Sequence, residues 1–184
     1  TIQMPGVSGL ENNGVLFEFA ATDADELAEA VKGCRLVRGL GYNTCVLRSS
    51  EHHFGYQRKL HIWLTRYDDA NSSLMILLAY IILGHPDWSE AELRIFATFP
   101  SAQLEEEVRE LHDTISTGRL PIPGRSVVPL AADDDGAVSA LMAAHSADAD
   151  LVLVGYSSEL LERRQGELFL RHPDLHDVLF VNAS

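Results

Sequence analysis

From Leu60 onward the chain alternates short aliphatic or aromatic runs with stretches in which apolar side chains recur every three or four positions. The runs predict five strands, at Leu60–Thr65, Leu93–Phe99, Ser126–Leu130, Leu151–Gly155 and Val178–Val181. Their near-continuous apolar character suits strands covered on both faces, and the alternation with helices is that of βα units on a parallel sheet. Between them, Asn71 or Ser72 is expected to cap a helix that Gly84 and Pro86 end, because proline cannot continue the backbone ladder. Ser101 is expected to cap a second helix reaching about Thr117, with Leu104, Val108, Leu111 and Ile115 inward and Glu105, Glu106, Glu107 and Glu110 in water. Helices over Gly136–His145 and Ser157–Leu170 complete an open, mainly parallel five-stranded α/β sheet with helices on both faces.

The first 59 residues repeat the plan on a smaller scale: a strand at Val15–Ala20, a helix over Asp23–Arg38 and a strand at Thr44–Leu47. Gly41–Ser50 also looks like Asp148–Ser158, which hints at two related units. The division expected is a partial α/β unit at 1–58 and a larger subdomain at 59–184. A lone βαβ piece cannot bury an adequate core, so it has to pack on the larger unit or on a second chain. Ser49–Lys59 is polar and lacks periodicity, and reads as a linker or surface loop.

Charge separates the two parts further. Residues 60–184 hold 20 acidic and 8 basic side chains, whereas residues 1–59 hold 7 and 6. The net charge of −13, with no cluster of Lys and Arg, argues against a nucleic-acid partner. Two cysteines, Cys34 and Cys45, are too few for a disulfide-stapled secreted scaffold, and Thr1–Leu10 has no signal-peptide pattern, so a reducing cytosol is expected. The charge-free run Leu74–Leu83 covers roughly half of a ~30 Å hydrocarbon core and is expected to be a buried helix, without membrane insertion.

Candidate chemistry is sparse. Adjacent His52 and His53 diverge on most backbones, His61 lies on a strand, and His85, His112, His145, His172 and His176 fall at or beside helix ends, where solvated or capping roles are expected. No metal site and no cofactor are expected. Asp133, Asp134 and Asp135 lack the alternating ligand spacing of a calcium loop and precede a helix whose N-terminus favours negative charge. Neither a nucleophile elbow nor a cysteine in an activating context is present, so no catalytic residue is assigned and no enzyme activity is expected. After Gly155 the chain reads Tyr156-Ser157-Ser158-Glu159, which disfavours a glycine-rich phosphate cradle. Asp68 and Asp69 stand out, because they follow the first main strand at its carboxyl end, where ligands of open α/β sheets bind. They are the candidate ligand or regulatory turn, against the alternative that they cap the next helix.

The unit Leu60–Phe99 resembles the cytosolic C-terminal domain of cation-chloride cotransporters. The matching features are Ile62-Trp63-Leu64, the acidic turn Asp68-Asp69, the helix Leu74-Met75-Ile76-Leu77-Leu78-Ala79-Tyr80, then Trp88 and Leu93-Arg94-Ile95-Phe96. Asn43-Thr44-Cys45-Val46-Leu47 is similar to the family's Pro-Asn-Thr-x-Val-Leu strand, with Tyr42 in place of proline. Ala149-Asp150-Leu151-Val152 and Val178-Leu179-Phe180-Val181 look like its last two strands. Asp69 and Ala70 stand where eukaryotic members have two glycines, which points to a prokaryotic relative, and only about a dozen residues replace a long segment between the Asn-Thr and Trp strands. The resemblance implies a fold like that of universal stress proteins at the cytoplasmic face of the cell membrane. It also implies attachment to the chain's own transmembrane transport domain, homodimerisation, and regulation of the symport of chloride with sodium, potassium or both. The alternative is a nucleotide-binding module like the universal stress proteins.

Overall fold

A computed structural model describes residues 13–116 and 123–184, the side chains of 114–116 excepted. Its strands are β1 (Gly14–Ala20), β2 (Asn43–Ser49), β3 (Lys59–Leu64), β4 (Glu92–Phe99), β5 (Val127–Ala131), β6 (Leu151–Gly155) and β7 (Val178–Asn182). The helices are α1 (Ala24–Val37), α2 (Asp69–Leu83), α3 (Leu104–Ser116), α4 (Asp135–Ser146) and α5 (Ser158–Arg164). All seven strands share one sheet in the order β1-β2-β7-β6-β3-β4-β5, and every neighbouring pair is parallel except β2 with β7. The expected α/β sheet with helices is therefore present, and residues 1–58 extend it in the reverse direction.

Strand alternation distributes the core over both faces. Leu60, Ile62, Leu93, Ile95, Leu151, Leu153, Leu179 and Val181 pack with Met75, Ile76 and Ala79 of α2. Their neighbours Trp63, Phe96, Val152, Val154, Val178 and Phe180 pack on the opposite face with Ala30 and Cys34 of α1, Met142 of α4 and Leu161 of α5. Trp63 stacks on Phe96 with ring centroids 4.5 Å apart, and its indole N–H donates to Ser146 Oγ at 2.9 Å. Ser146 Oγ also lies 2.8 Å from His61 Nδ1. The Ser146 hydroxyl thus links the indole and the imidazole in one buried polar cluster. Burial and the nearby Arg94 lower the His61 pKa to about 4.

Several boundaries differ from expectation. α2 starts at Asp69, ahead of both Asn71 and Ser72. Ser101 does not cap α3: it opens a 3-10 turn, Ser101–Gln103, and its N–H and Oγ both donate to Asp133, each at 2.7 Å. The end of the second expected helix at Thr117 lies outside the described residues, as does Thr1–Leu10. The expected helix to Leu170 stops at Arg164, because Gln165 turns to φ 51° and a 3-10 turn, Gln165–Leu168, follows. His172 is buried in the succeeding loop at φ 58°, not solvated, and burial lowers its pKa to about 4.

Ser49–Lys59, expected as a linker or surface loop, is a tightly specified turn. His53, Phe54, Gly55 and Gln57 all have positive φ. Asp177, fully buried ahead of β7, accepts from the N–H groups of Ser50 (2.6 Å) and Phe54 (2.8 Å). Asp150, buried ahead of β6, accepts from Tyr56 (3.1 Å), Arg58 (2.7 Å) and Lys59 (2.9 Å). Arg48, buried on β2, donates to the carbonyls of Phe169 (3.3 Å), Arg171 (2.6 Å), His172 (2.9 Å) and Leu175 (3.0 Å).

Asp177→Ala removes two carboxylate acceptors and the countercharge of buried Arg48, so a loss of about 3–5 kcal/mol in urea unfolding is expected. His61 and His172 are neutral when folded, whereas the unfolded chain protonates them near pH 6.5. Their stabilisation is complete above pH 6.5 and is lost as pH falls towards 4. Each contributes a slope of up to about 1.4 kcal/mol per pH unit. Urea midpoints from pH 7 to 5 check this, with His172→Gln expected to remove about half of the slope.

Candidate functional site

β3 and β6 are adjacent and parallel, yet the helices that follow them leave in opposite directions. α2 packs on one face of the sheet and α5 on the other. The carboxyl ends of these strands therefore part around a crevice, the place where open α/β sheets bind ligands. A cleft of about 440 Å³ lies there. Thr65–Asp68 after β3, Thr98 near the end of β4 and Pro100 after it, Asp133–Asp135 after β5, and Gly155 at the end of β6 with Tyr156 and Ser157 after it contribute to its walls, and Val138, Met142 and Val154 give it an apolar base.

Asp68 is part of this wall, but its side chain is already engaged. One oxygen accepts from Thr65 N–H (2.9 Å) and Thr65 Oγ1 (2.7 Å), and the other from Asn71 Nδ2 (3.3 Å). Asp68 occupies the cap position of α2 without a side-chain cap bond, so the expected capping role gives way to closure of the β3–α2 turn. Asn71 relays this turn across the crevice: its Nδ2 donates to Tyr156 O (3.2 Å), and its Oδ1 accepts from Ala183 N–H (2.9 Å). The carboxylate lies against Gly155, where a Cβ would come within 1.6 Å of Asp68 Oδ1. Asp69 is exposed as the first residue of α2 and does not line the cleft. The two aspartates of the candidate turn thus part company.

The acidic run after β5 divides in the same way. Asp134 caps α4, accepting from Ala137 N–H at 2.7 Å. Asp133 instead clamps Ser101, and those two hydrogen bonds hold its carboxyl below the ordinary range. Asp135 follows in the first turn of α4. After β6, Ser157 caps the short α5 by accepting from Leu160 N–H at 3.2 Å, while Asn182 Nδ2 donates to Tyr156 O at 2.9 Å.

The opposite wall was not legible in the sequence. Arg163 and Arg164 from the end of α5, Arg171 from the next loop and Arg66 after β3 all line the cleft. Arg66 donates to Tyr67 Oη at 2.6 Å and stacks over the same ring at 4.7 Å. The turn at Gln165 and the Arg48 clamp on the carbonyls of 169–175 bring Arg171 back beside Arg163 and Arg164. The cleft therefore sets four arginines against four aspartates, of which Asp68, Asp133 and Asp134 already accept hydrogen bonds from the protein, and the basic wall is the part that suits an anionic ligand.

Reactive groups elsewhere are sequestered. Burial pushes both Cys34 and Cys45 up to about 11, far from thiolate chemistry at neutral pH. The Ser146–His61 contact is buried beneath α4, out of reach of a substrate. His52 stacks on His176 at 4.2 Å and lies 3.5 Å from Asp150, while His85 accepts from Asp87 N–H at 3.3 Å in the capping role expected. Among the described residues, no group of three or more metal-ligating side chains converges, and no helix is long and apolar enough to cross a membrane.

Open sheets with this arrangement occur among solved structures. The cytoplasmic domain of a prokaryotic cation chloride cotransporter aligns with 92% of this chain and 64% of its own length, at a TM-score of 0.61 and 14% identity. A functionally unknown protein, PA1789 from Pseudomonas aeruginosa PAO1, aligns with 90% of this chain and 62% of its own length, at a TM-score of 0.53 and 18% identity. At these identities the likeness defines the fold class, and the chain spans less than two thirds of either protein. No protein-family model and no curated protein sequence matches.

Gly155→Ala drives a methyl group into the Asp68 carboxylate, so a loss of about 1–3 kcal/mol is expected. In a double-mutant cycle with Asp68→Ser, measured by thermal unfolding, the paired variant is expected to lose less than the sum of the singles.

Proposed function

We propose that this chain is a non-catalytic regulatory and dimerisation domain of a cation-chloride cotransporter. It works at the cytoplasmic face of the membrane and is joined to its own transmembrane transport domain, which carries chloride with sodium, potassium or both. The observation that carries this reading is the alignment of 92% of the chain with a cytoplasmic domain of that class. The resemblance of Asn43–Leu47, Ile62–Leu64 and Leu93–Phe96 supports it from the sequence. The outward face of α2 gives further support for a partner surface: Leu77 and Ile81 are exposed there, whereas α3 turns Glu105 and Glu106 to water.

The test is made on the natural gene and its full-length product. About twelve hydrophobic spans upstream of Thr1, with chloride-dependent rubidium or sodium uptake into vesicles, are expected. A gene without such spans overturns the transporter reading.

A second reading, a nucleotide-binding module, is favoured by one observation: Arg163, Arg164 and Arg171 meet at the cleft. On this reading, calorimetric titration with ATP gives binding that Arg163→Glu and Arg171→Glu each weaken at least tenfold. Absence of heat and of any melting shift at millimolar ATP removes it.

A further inference from the structure

The two edges of the sheet are built differently. β5 has five residues and includes Pro129. Ala132 N–H donates to Phe99 O at 2.8 Å, so even-numbered residues of β5 face β4 and Pro129 stands where an outward amide would be. A proline at that position blocks the addition of another strand. β1, at the other edge, has seven residues, pairs with β2 along its whole length, and carries no proline and a single charge, Glu18.

Parity fixes which groups of β1 are open. Ala21 N–H donates to Ser49 O at 2.8 Å and Asn13 O accepts from Asn43 N–H at 2.9 Å, so odd-numbered residues face β2. Gly14, Leu16, Glu18 and Ala20 face outward. Among the described residues both polar backbone groups of Ala20 are taken, its amide by Glu26 Oε2 at 2.8 Å and its carbonyl by Asp23 N–H at 2.8 Å. No described residue takes the N–H or the carbonyl of Leu16 or Glu18, and the Leu16 side chain is 62% exposed. On the other face a groove of about 600 Å³ runs between β1 and α1, lined in part by Phe17, Gly33 and Leu36. Leu36 is 71% exposed.

We propose that β1 is the edge through which two copies of this chain associate, pairing antiparallel about a twofold axis at Phe17. The inference rests on the dimerisation proposed above and names its surface. Leu16 then lies opposite Glu18 of the partner subunit as a hydrogen-bonded pair, and Glu18 opposite Leu16 of the partner subunit. The four backbone groups of Leu16 and Glu18 on each edge are satisfied, and the new ladder stops there because both groups of Ala20 are already bonded within the chain. An axis at Glu18 would set two carboxylates face to face, whereas the axis at Phe17 sets each against an aliphatic side chain. Leu16 on one face and Leu36 on the other supply apolar surface beside the new ladder. Asp25, Glu26 and Glu29 flank the groove with Lys32 as the basic residue there, so like charges approach and added salt strengthens association.

The test uses the whole 184-residue chain in light scattering, with amide exchange read at Leu16 and Glu18. The expected result is a dimer that tightens with salt and slows exchange at both amides as concentration rises. Leu16→Pro removes an outward amide without touching the ladder to β2 and is expected to weaken the dimer at least tenfold. Leu16→Glu, which faces Glu18 of the partner subunit, also weakens it. Leu16→Lys preserves it, and adding Glu18→Lys to Leu16→Glu restores it. Circular dichroism and urea midpoints confirm folding, and the charge variants carry the test if the proline variant unfolds. A dimer indifferent to these substitutions, with fast exchange at Leu16 and Glu18, overturns this surface and leaves dimerisation itself standing. Equal dissociation by Leu16→Lys and Leu16→Glu overturns the register. A monomer at high micromolar concentration overturns both the surface and the dimer.

Discussion

Arg48 is buried on β2 beside the antiparallel seam with β7, and its guanidinium is shared among four carbonyls between Phe169 and Leu175. Burial lowers its pKa, and the charge of Asp177 acts in the opposite direction. Asp177 in turn fixes Ser50 and Phe54, at the start of the turn that leads from β2 towards β3. A charge with several directional acceptors tolerates little displacement in a low-dielectric interior. The reversed N-terminal unit, the loop before β7 and the entry to the main sheet consequently depend on one another.

That constraint reaches the cleft. The loop clamped by Arg48 contains Arg171 and His172, and both line the crevice between β3 and β6. Across the crevice, Asp68 and Asn71 join the β3–α2 turn to Tyr156 and Ala183. Gly155 permits this approach because no side chain stands between the strand and the carboxylate. The walls are held by buried polar bonds, and the arginines are left to face solvent and any anion that enters.

Much of the fold was readable along the chain. Strand positions followed from continuous apolar runs, and α2 was distinguishable from a membrane span by length alone. Short-range rules failed where a polar side chain had a distant partner. Ser101 is drawn to Asp133 instead of capping α3, and Asp68 turns back to Thr65 instead of capping α2. The segment Ser49–Lys59 looked like a polar linker because the two carboxylates that order it lie about a hundred residues away in sequence.

Periodicity and length by themselves determined the class of fold and that α2 is too short to span a membrane, since each depends on local composition, whereas the expectation of a wholly buried α2 gave way to a helix that buries Met75, Ile76 and Ala79 and exposes Leu77 and Ile81. They also singled out Asp68 without its role. Only the tertiary structure decided that β2 runs against β7, that Asp68 is committed to the protein while Asp69 faces water, and that Arg66, Arg163, Arg164 and Arg171 share one cleft. The reason is physical. A buried charge selects its partners by proximity and desolvation in the folded chain, and neither quantity is encoded in the spacing of residues along it.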